Sequence, residues 1–297
     1  MLKYVLEKVW QDGYIQTNGI QLHYVTKGQG KLMLMLHGFP EFWYSWRYQI
    51  TEFSQDYKVV ALDLRGYNES DKPQALKAYQ ITELVKDIEG VIRGLGYDNC
   101  ILVAHDWGGA IAWYFANTYP EMIERLIIMN LPHPAKFKQG LKTPQQLLKS
   151  WYIFAFQLPQ LPEWLLQRNN YQLIAYMFKA VDESAFSSED LDIYREAAAK
   201  PRALTAMLNY YRNIFQGFFK TSQQEWKKLS MPILMIWGEN DVALGKELTY
   251  GTEDYAENLT IKYIPNCSHW VQQEQPQFVN EYMRDFLNSD LAPTLKS

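Results

Sequence analysis

Apolar residues recur along this chain in two rhythms, and the switch between them divides it. The first 131 residues carry short apolar or alternating runs at 13–16, 20–25, 31–36, 57–63, 100–104 and 125–129, each of strand length. Helical periodicities lie among them at 81–95 and at about 110–119. The run 100–104, Cys-Ile-Leu-Val-Ala, is apolar throughout, as a strand buried on both faces should be. Strands alternating with helices predict βαβ units and a mainly parallel sheet. From about residue 132 to 221 the rhythm is helical and rich in aromatics, with Pro132, Pro134 and Pro144 punctuating its entry. The β/α rhythm then returns, with strands at 232–237 and 260–264, a helix around 246–250 and a last helix at about 275–287. The simplest organisation is one core formed by 1–131 and 222–297, split by a helical insertion at 132–221.

Composition removes several function classes. A chain of 297 residues can hold a large core and a smaller second unit. Its formal net charge of −4, with no run of like charges, speaks against a nucleic-acid partner. Two cysteines, Cys100 and Cys267, are too few for a disulfide framework and suit a reducing compartment. Residues 1–8, MLKYVLEK, place charges where a signal peptide needs an apolar core. Apolar runs such as 32–36 and 126–129 are far too short to span a bilayer. The final Leu295-Lys296-Ser297 is not a peroxisomal address. The expectation is a soluble, cytoplasmic protein with no membrane span.

The chemistry is concentrated in four short segments. In Ala104-His105-Asp106-Trp107-Gly108-Gly109, a small residue stands two before Asp106 and glycines stand two and three after it. This is the layout of a strand-to-helix nucleophile elbow, with Asp where a hydrolase commonly has Ser. So sharp a turn forces its central residue toward a disfavoured backbone geometry and demands small neighbours. The helix that follows stabilises a negative charge at its N-terminus. Trp237-Gly238-Glu239-Asn240-Asp241 follows a buried strand, so a carboxylate there reaches the same crevice. Asp241 holds the better position, with Glu239 the alternative acid. Of five histidines, only His269, in Pro265-Asn266-Cys267-Ser268-His269-Trp270, lies in a late loop after a strand. The resulting chain order, nucleophile, acid, histidine, is that of an α/β-hydrolase triad. In His37-Gly38-Phe39-Pro40 the backbone N–H of Phe39, with that of Trp107, is the expected oxyanion donor pair, and Pro40 is expected to follow a cis bond. His37, His105 and Arg65 read as structural. There is no complete G-x-G-x-x-G fingerprint and no metal-ligand spacing, so neither cofactor nor metal is expected.

An aspartate nucleophile narrows the reaction. Attack on an ester or amide carbonyl would give an anhydride that falls back, whereas attack on a saturated carbon gives a stable alkyl-enzyme ester. Water activated by His269, itself oriented by Asp241, would then hydrolyse that ester. Epoxides and alkyl halides suit such a site.

The segments HGFPEFWYSW (37–46), DLRGYNESDKP (63–73), HDWGG (105–109), WGEND (237–241) and SHW (268–270) together make the chain resemble the epoxide hydrolases of the α/β-hydrolase fold. The resemblance covers nearly the whole chain. It implies an α/β-hydrolase fold, with a mostly parallel eight-stranded sheet flanked by helices and an inserted helical cap domain. In this family two cap tyrosines protonate the epoxide oxygen. The segments 151–157, WYIFAFQ, and 209–213, NYYRN, resemble the ones that carry them, which assigns Tyr152 and Tyr211, with Tyr210 the neighbouring register. The implied partner is a small lipophilic epoxide bound by Phe39, Trp107, Tyr152 and Tyr211, in a monomer or homodimer. A haloalkane or haloacid dehalogenase with the same nucleophile is the nearest alternative, and a non-catalytic ligand receptor a more distant one. A dehalogenase does not explain the two tyrosine segments, and a receptor scaffold would typically lose a triad member, whereas this chain keeps all three. Trp151, Phe154, Phe156, Trp164, Tyr171, Tyr176, Phe178, Phe215, Phe218 and Phe219 are expected mostly to pack the insertion, with some lining an apolar pocket beneath it.

Overall fold

The computed structural model describes residues 10–179, 185–214 and 225–289. The strands are β1 (Gln11–Thr17), β2 (Ile20–Lys27), β3 (Leu32–Leu36), β4 (Lys58–Leu62), β5 (Cys100–His105), β6 (Ile123–Met129), β7 (Ile233–Gly238) and β8 (Leu259–Ile264). They form one 8-stranded sheet in the order β1-β2-β4-β3-β5-β6-β7-β8. The pairs β1–β2 and β2–β4 are antiparallel, and the rest are parallel. Helices α1 (Arg47–Phe53), α2 (Ile81–Gly94) and α3 (Asp106–Thr118) precede β6. Between β6 and β7 the described residues carry α4 (Pro134–Gly140), α5 (Pro144–Lys149), α6 (Trp151–Ala155), α7 (Leu161–Lys179), α8 (Ser188–Ala199) and α9 (Ala203–Asn213), and no strand. The chain then closes with α10 (Val271–Glu274) and α11 (Pro276–Asn288). The expected end of the insertion at 221, and Phe215, Phe218 and Phe219, lie outside the described residues.

Period-two alternation gives each central strand two apolar faces. Leu32, Leu34 and Leu36 of β3 join Leu102 of β5 and Met235 of β7 in one core, covered by Leu84, Ile88, Val91 and Ile92 of α2 and by α3. Met33 and Met35 join Val103 and Ile236 in the other, covered by Ile50 and Phe53 of α1 and by Val279 and Met283 of α11. Each such buried side chain contributes about 1.5–3 kcal/mol.

Three details differ from the sequence expectation. The helix expected from about 110 begins at Asp106 itself. The helix expected around 246–250 is a 3₁₀ turn, Lys246–Thr249, followed by another at Thr252–Asp254. The last helix stands as expected, α11 at Pro276–Asn288, but an extra turn, α10, precedes it and is cut off by Pro276, which has no N–H to continue a helix.

Because β3 and β5–β8 run parallel, their carboxyl ends share one edge of the sheet, and β3 lies between β4 and β5 where the strand order reverses. Loops at that edge enclose the crevice where ligands bind in open α/β sheets.

Candidate active site

Asp106 sits at the tip of β5, where strand becomes helix, with φ 47°. A non-glycine residue in this left-handed region stores about 1–3 kcal/mol of strain. Its neighbours hold it there. The Gly108 N–H donates to the His37 carbonyl at 3.0 Å. A Cβ on Gly108 would run into the carbonyl oxygens of Leu36 and His37, and one on Gly38 into the Asp106 side chain. The glycines therefore let β3's loop and α3 approach within contact of the carboxylate. The Phe39–Pro40 bond is cis, and the Phe39 N–H donates to Asp106 Oδ1 at 2.8 Å. That leaves Oδ2 as the oxygen with free lone pairs.

His269 and Asp241 arrive from the ends of β8 and β7. His269 Nδ1 is 2.7 Å from Asp241 Oδ2, and its Nε2 is 3.6 Å from Asp106 Oδ2. The first contact is a hydrogen bond. The second is too long for one and acts through charge. Asp241 Oδ1 accepts from the N–H groups of Ala243 and Leu244, at 2.8 and 2.9 Å. Glu239, the alternative acid, instead accepts from Lys246 Nζ at 2.7 Å, well removed from His269 in its pairing. Burial opposes charge on all three triad members, yet the opposite charges win. Burial alone would raise Asp106 and Asp241, but the facing His269 brings both below the usual carboxylate range. Burial alone would lower His269, but Asp241 and Asp106 lift it well above an ordinary imidazole. The site thus sets two carboxylates around one imidazole, and their charge favours its protonated form.

Tyr152, on α6, and Tyr211, on α9, meet over this triplet with ring centroids 5.8 Å apart. Burial first, and the Asp106 charge second, push both phenols upward, so each keeps its proton for donation. Tyr211 also packs edge-on against Trp107 and Phe39, at 5.1 and 5.2 Å. Tyr210 points elsewhere: its hydroxyl donates to the Arg65 carbonyl at 2.6 Å. Adjacent residues on a helix diverge by about 100°, which is why the register matters. Two cavities meet at Asp106, Tyr152 and Tyr211. One of about 60 Å³ runs toward Leu131, Phe137 and Ile214. The other, of about 280 Å³, runs past Phe156, Met177, His269 and Trp270 to Trp151 and Val242. Both walls are dominated by apolar side chains.

Sequence reasoning overlooked three supports. Asn130 follows β6 with φ 40°, donates to Asp241 Oδ2 at 2.7 Å and to the Ser268 carbonyl at 3.4 Å, and accepts from Gly238 N–H at 3.0 Å, tying three strand ends together. An Asn just after a strand is a signal for left-handed backbone that was available. Glu41, fully buried, accepts from Gly38 N–H, Gln272 and Gln273 at 2.8–2.9 Å, and its carboxylate lies 2.8 Å from His105 Nδ1. His105 Nε2 in turn donates to the His269 carbonyl at 2.8 Å. Gln146 of α5 donates to the Ala243 carbonyl and accepts from Gly245 N–H, at 2.8 and 3.1 Å, bracing the loop that carries Asp241. His37 bonds Gly38 O and Leu64 N–H, and Arg65 forms an ion pair with Asp87. Both are structural, as read. Among the described residues no group of three His, Cys, Asp or Glu side chains could hold a metal ion.

Of the aromatics expected to pack the helical segment, Phe178 does, stacked on Tyr194 at 4.2 Å. Trp151, Trp164 and Tyr176 do not: they are 67%, 53% and 61% exposed.

Comparison with known proteins agrees with this geometry. Residues 31–276 match the family model described as alpha/beta hydrolase fold. Epoxide hydrolase 1 of Caenorhabditis elegans is 43% identical over 288 residues, which are 94% of this chain and 70% of that one. Epoxide hydrolase 4 of Homo sapiens is 42% identical over 286 residues, 93% of this chain and 78% of that one. A mutant epoxide hydrolase from Bacillus megaterium, solved with its product (R)-3-[1]naphthyloxy-propane-1,2-diol, superposes with a TM-score of 0.86 at 40% identity, covering 93% of this chain and 100% of that one. The chain belongs to the alpha/beta hydrolase fold family and, within it, to the epoxide hydrolases.

Proposed function

We propose that this protein hydrolyses lipophilic epoxides to vicinal diols through an ester on Asp106. The observation that carries the reading is a carboxylate, not a hydroxyl, at the strained elbow, with one oxygen held by Phe39 N–H, the other 3.6 Å from the His269 ring, and two phenols lining the same cavity. Asp106 Oδ2 attacks a ring carbon, a C–O bond forms, the ring C–O bond breaks, and Tyr152 and Tyr211 protonate the departing oxygen. Water deprotonated by His269 then attacks the Asp106 carboxyl carbon. Phe39 and Trp107 N–H groups stabilise the oxyanion, and the diol leaves with the original Oδ2. Residues 1–131 and 222–297 form the catalytic core in this reading, and 132–221 its cap. No cofactor takes part. The protein is cytoplasmic, in keeping with two buried cysteines that form no disulfide, and works as a monomer or homodimer.

Conversion of styrene oxide to its diol by the purified protein tests the reading. Halide release from haloalkanes without diol formation would replace it with dehalogenation.

The charge pattern adds a switch. Two carboxylates face His269 and favour its protonated form before the substrate reacts. Alkylation makes Asp106 a neutral ester and removes one of them, so the histidine becomes a base in the step before a base is needed. The proton it releases replaces the one given to the epoxide oxygen. By NMR, the His269 imidazole should titrate well above its ordinary range in the wild type and clearly lower in Asp106→Ala. An unchanged titration would remove the switch. Because Asp106 itself is held low, the alkylation rate should persist as pH falls through the ordinary carboxylate range and drop only below it.

The apolar cavities set a polarity preference. The Bacillus megaterium protein's naphthyl diol shows that a relative accepts a large aryl group. Burying a phenyl group contributes about 1.5–3 kcal/mol, so kcat/KM for styrene oxide should exceed that for glycidol by roughly 10–100-fold. Equal values would count against an apolar pocket.

A further inference from the structure

The helical segment wears its apolar residues on the outside. Leu148 is 75% exposed, and Trp151, Trp164 and Tyr176 are more than half exposed. Scattered single residues of this kind are ordinary, but a concentration of them within one segment marks an interaction surface. One of them, Trp151, is tied to the catalytic centre, together with Val242 from the loop after β7. Trp151 and Val242, the latter 60% exposed, both line the 280 Å³ cavity that contains Asp106, Tyr152 and His269. The cavity therefore reaches the surface between apolar side chains. Leu148 borders an adjoining cleft with Lys136, Lys149 and Glu247, and Lys149 Nζ donates to the carbonyl of Asp241, the residue before Val242. Cleft and cavity mouth are thus neighbours.

The charge on this segment is opposite to that of the chain. Residues 134–170 contain Lys136, Lys138, Lys142, Lys149 and Arg168, against the single carboxylate Glu163, in a protein whose formal net charge is −4. Glu163 is already neutralised by Arg212, with N–O contacts of 2.8 and 3.0 Å. The Arg168 guanidinium lies over the exposed Trp164 ring at 4.7 Å. Exposed Trp and Leu interleaved with cations are the chemistry of a surface that lies in a membrane interface, with the rings at headgroup depth and the cations on anionic lipid. A second copy of this chain would bring its own five cations against these, which opposes self-association through the same face.

From these observations we infer that the surface formed by α4, α5, α6 and the first half of α7 docks peripherally on anionic lipid membranes, with the active-site mouth turned toward the bilayer. Among the described residues no helix is long and apolar enough to cross a membrane, so the contact is interfacial and reversible. Such docking would let a lipophilic molecule pass from acyl chains into the cavity without crossing water. Polybasic segments gain about 1 kcal/mol per cation near an anionic surface, or roughly fivefold each, and the gain is screened by salt.

The docking is read without turnover, so it stands or falls separately from the epoxide reading. The full-length protein is pelleted with vesicles of phosphatidylcholine containing about a third phosphatidylglycerol, and with vesicles of phosphatidylcholine alone. The expected result is binding to the anionic vesicles at low salt, a blue shift of tryptophan emission on binding, and at least ~10-fold weaker partition to the neutral ones. The variant Leu148→Ser/Trp164→Ser, altered only at exposed positions, should lose ~10-fold or more in partition and most of the blue shift. Lys138→Gln/Lys142→Gln should lose a similar factor at low salt and little at high salt. An unchanged thermal melt shows that each variant folds. No pelleting by the wild type, equal pelleting with both vesicle types, or a dimer in sedimentation equilibrium that Leu148→Ser/Trp164→Ser dissociates would each overturn the inference. The last would assign the face to a second copy.

Discussion

A single turnover in heavy-oxygen water should release mostly unlabelled diol, and repeated turnover should release labelled diol. The asymmetry follows from the two oxygens of Asp106. Oδ1 is fixed by the Phe39 N–H at 2.8 Å, so Oδ2 forms the bond to carbon and leaves in the product. Water attacks the carboxyl carbon, and its oxygen remains in Asp106 until the next cycle. His269→Gln should spare the first half of this cycle and stall the second, because Gln cannot take a proton from water. An ester of substrate mass should then accumulate on the Asp106 peptide, visible by mass spectrometry. Steady-state turnover should fall to background, as deletions within catalytic triads cost up to about 10⁶-fold. Asp106→Ala should stop both halves and give no adduct. Labelled diol in the first turnover, together with an unmodified peptide in His269→Gln, would mean that water attacks the epoxide directly.

The elements that hold these groups differ in how plainly the sequence announces them. The runs Leu32–Leu36 and Ile233–Gly238 are buried at every position, so their apolar composition announces strands without any alternation. The elbow is legible because its geometry tolerates so few residues: glycines at 108 and 109 leave little else for the segment to be. Helix α1 is less legible. Its seven residues leave only Ile50 and Phe53 in register with Trp46, and so short a period drowns in the aromatic run 42–46.

What remained hidden is mostly polar and long-range. Glu41 and Gln272 are 231 positions apart, and Gln146 and Ala243 are 97 apart. No local pattern can link residues whose only relation is to share a buried hydrogen bond. The outward-facing Trp151 and Trp164 were misjudged for a related reason. Periodicity says that an aromatic residue belongs to an apolar stripe, but it does not say whether a core lies beneath that stripe. The neighbouring lysines were the available signal, since a stripe that packs inward has no need of cations beside it.

Changing both phenols, Tyr152→Phe/Tyr211→Phe, should lower the alkylation rate by about 10²–10⁴-fold, the usual worth of a positioned general acid. Each single change should cost far less, because the two hydroxyls serve one oxygen and either alone can donate. The rings themselves would survive. Phe at 211 preserves the edge contacts with Phe39, Trp107 and Phe156, and Phe at 152 those with Phe156 and residue 211. Phe at 211 gives up a hydrogen bond with the Trp107 side chain, so a thermal melt within a few degrees of wild type is the control that separates lost stability from lost rate. Stopped-flow measurement of the alkylation phase separates the donors from His269, which acts later. Tyr210→Phe is the informative comparison. Its hydroxyl is committed to the Arg65 carbonyl, so losing it leaves one buried carbonyl unpaired, at a cost of about 1–3 kcal/mol in stability, and should leave alkylation unchanged. If the double variant alkylates at the wild-type rate, the proton comes from another source. If Tyr210→Phe slows alkylation as the double variant does, the donor is the neighbouring tyrosine.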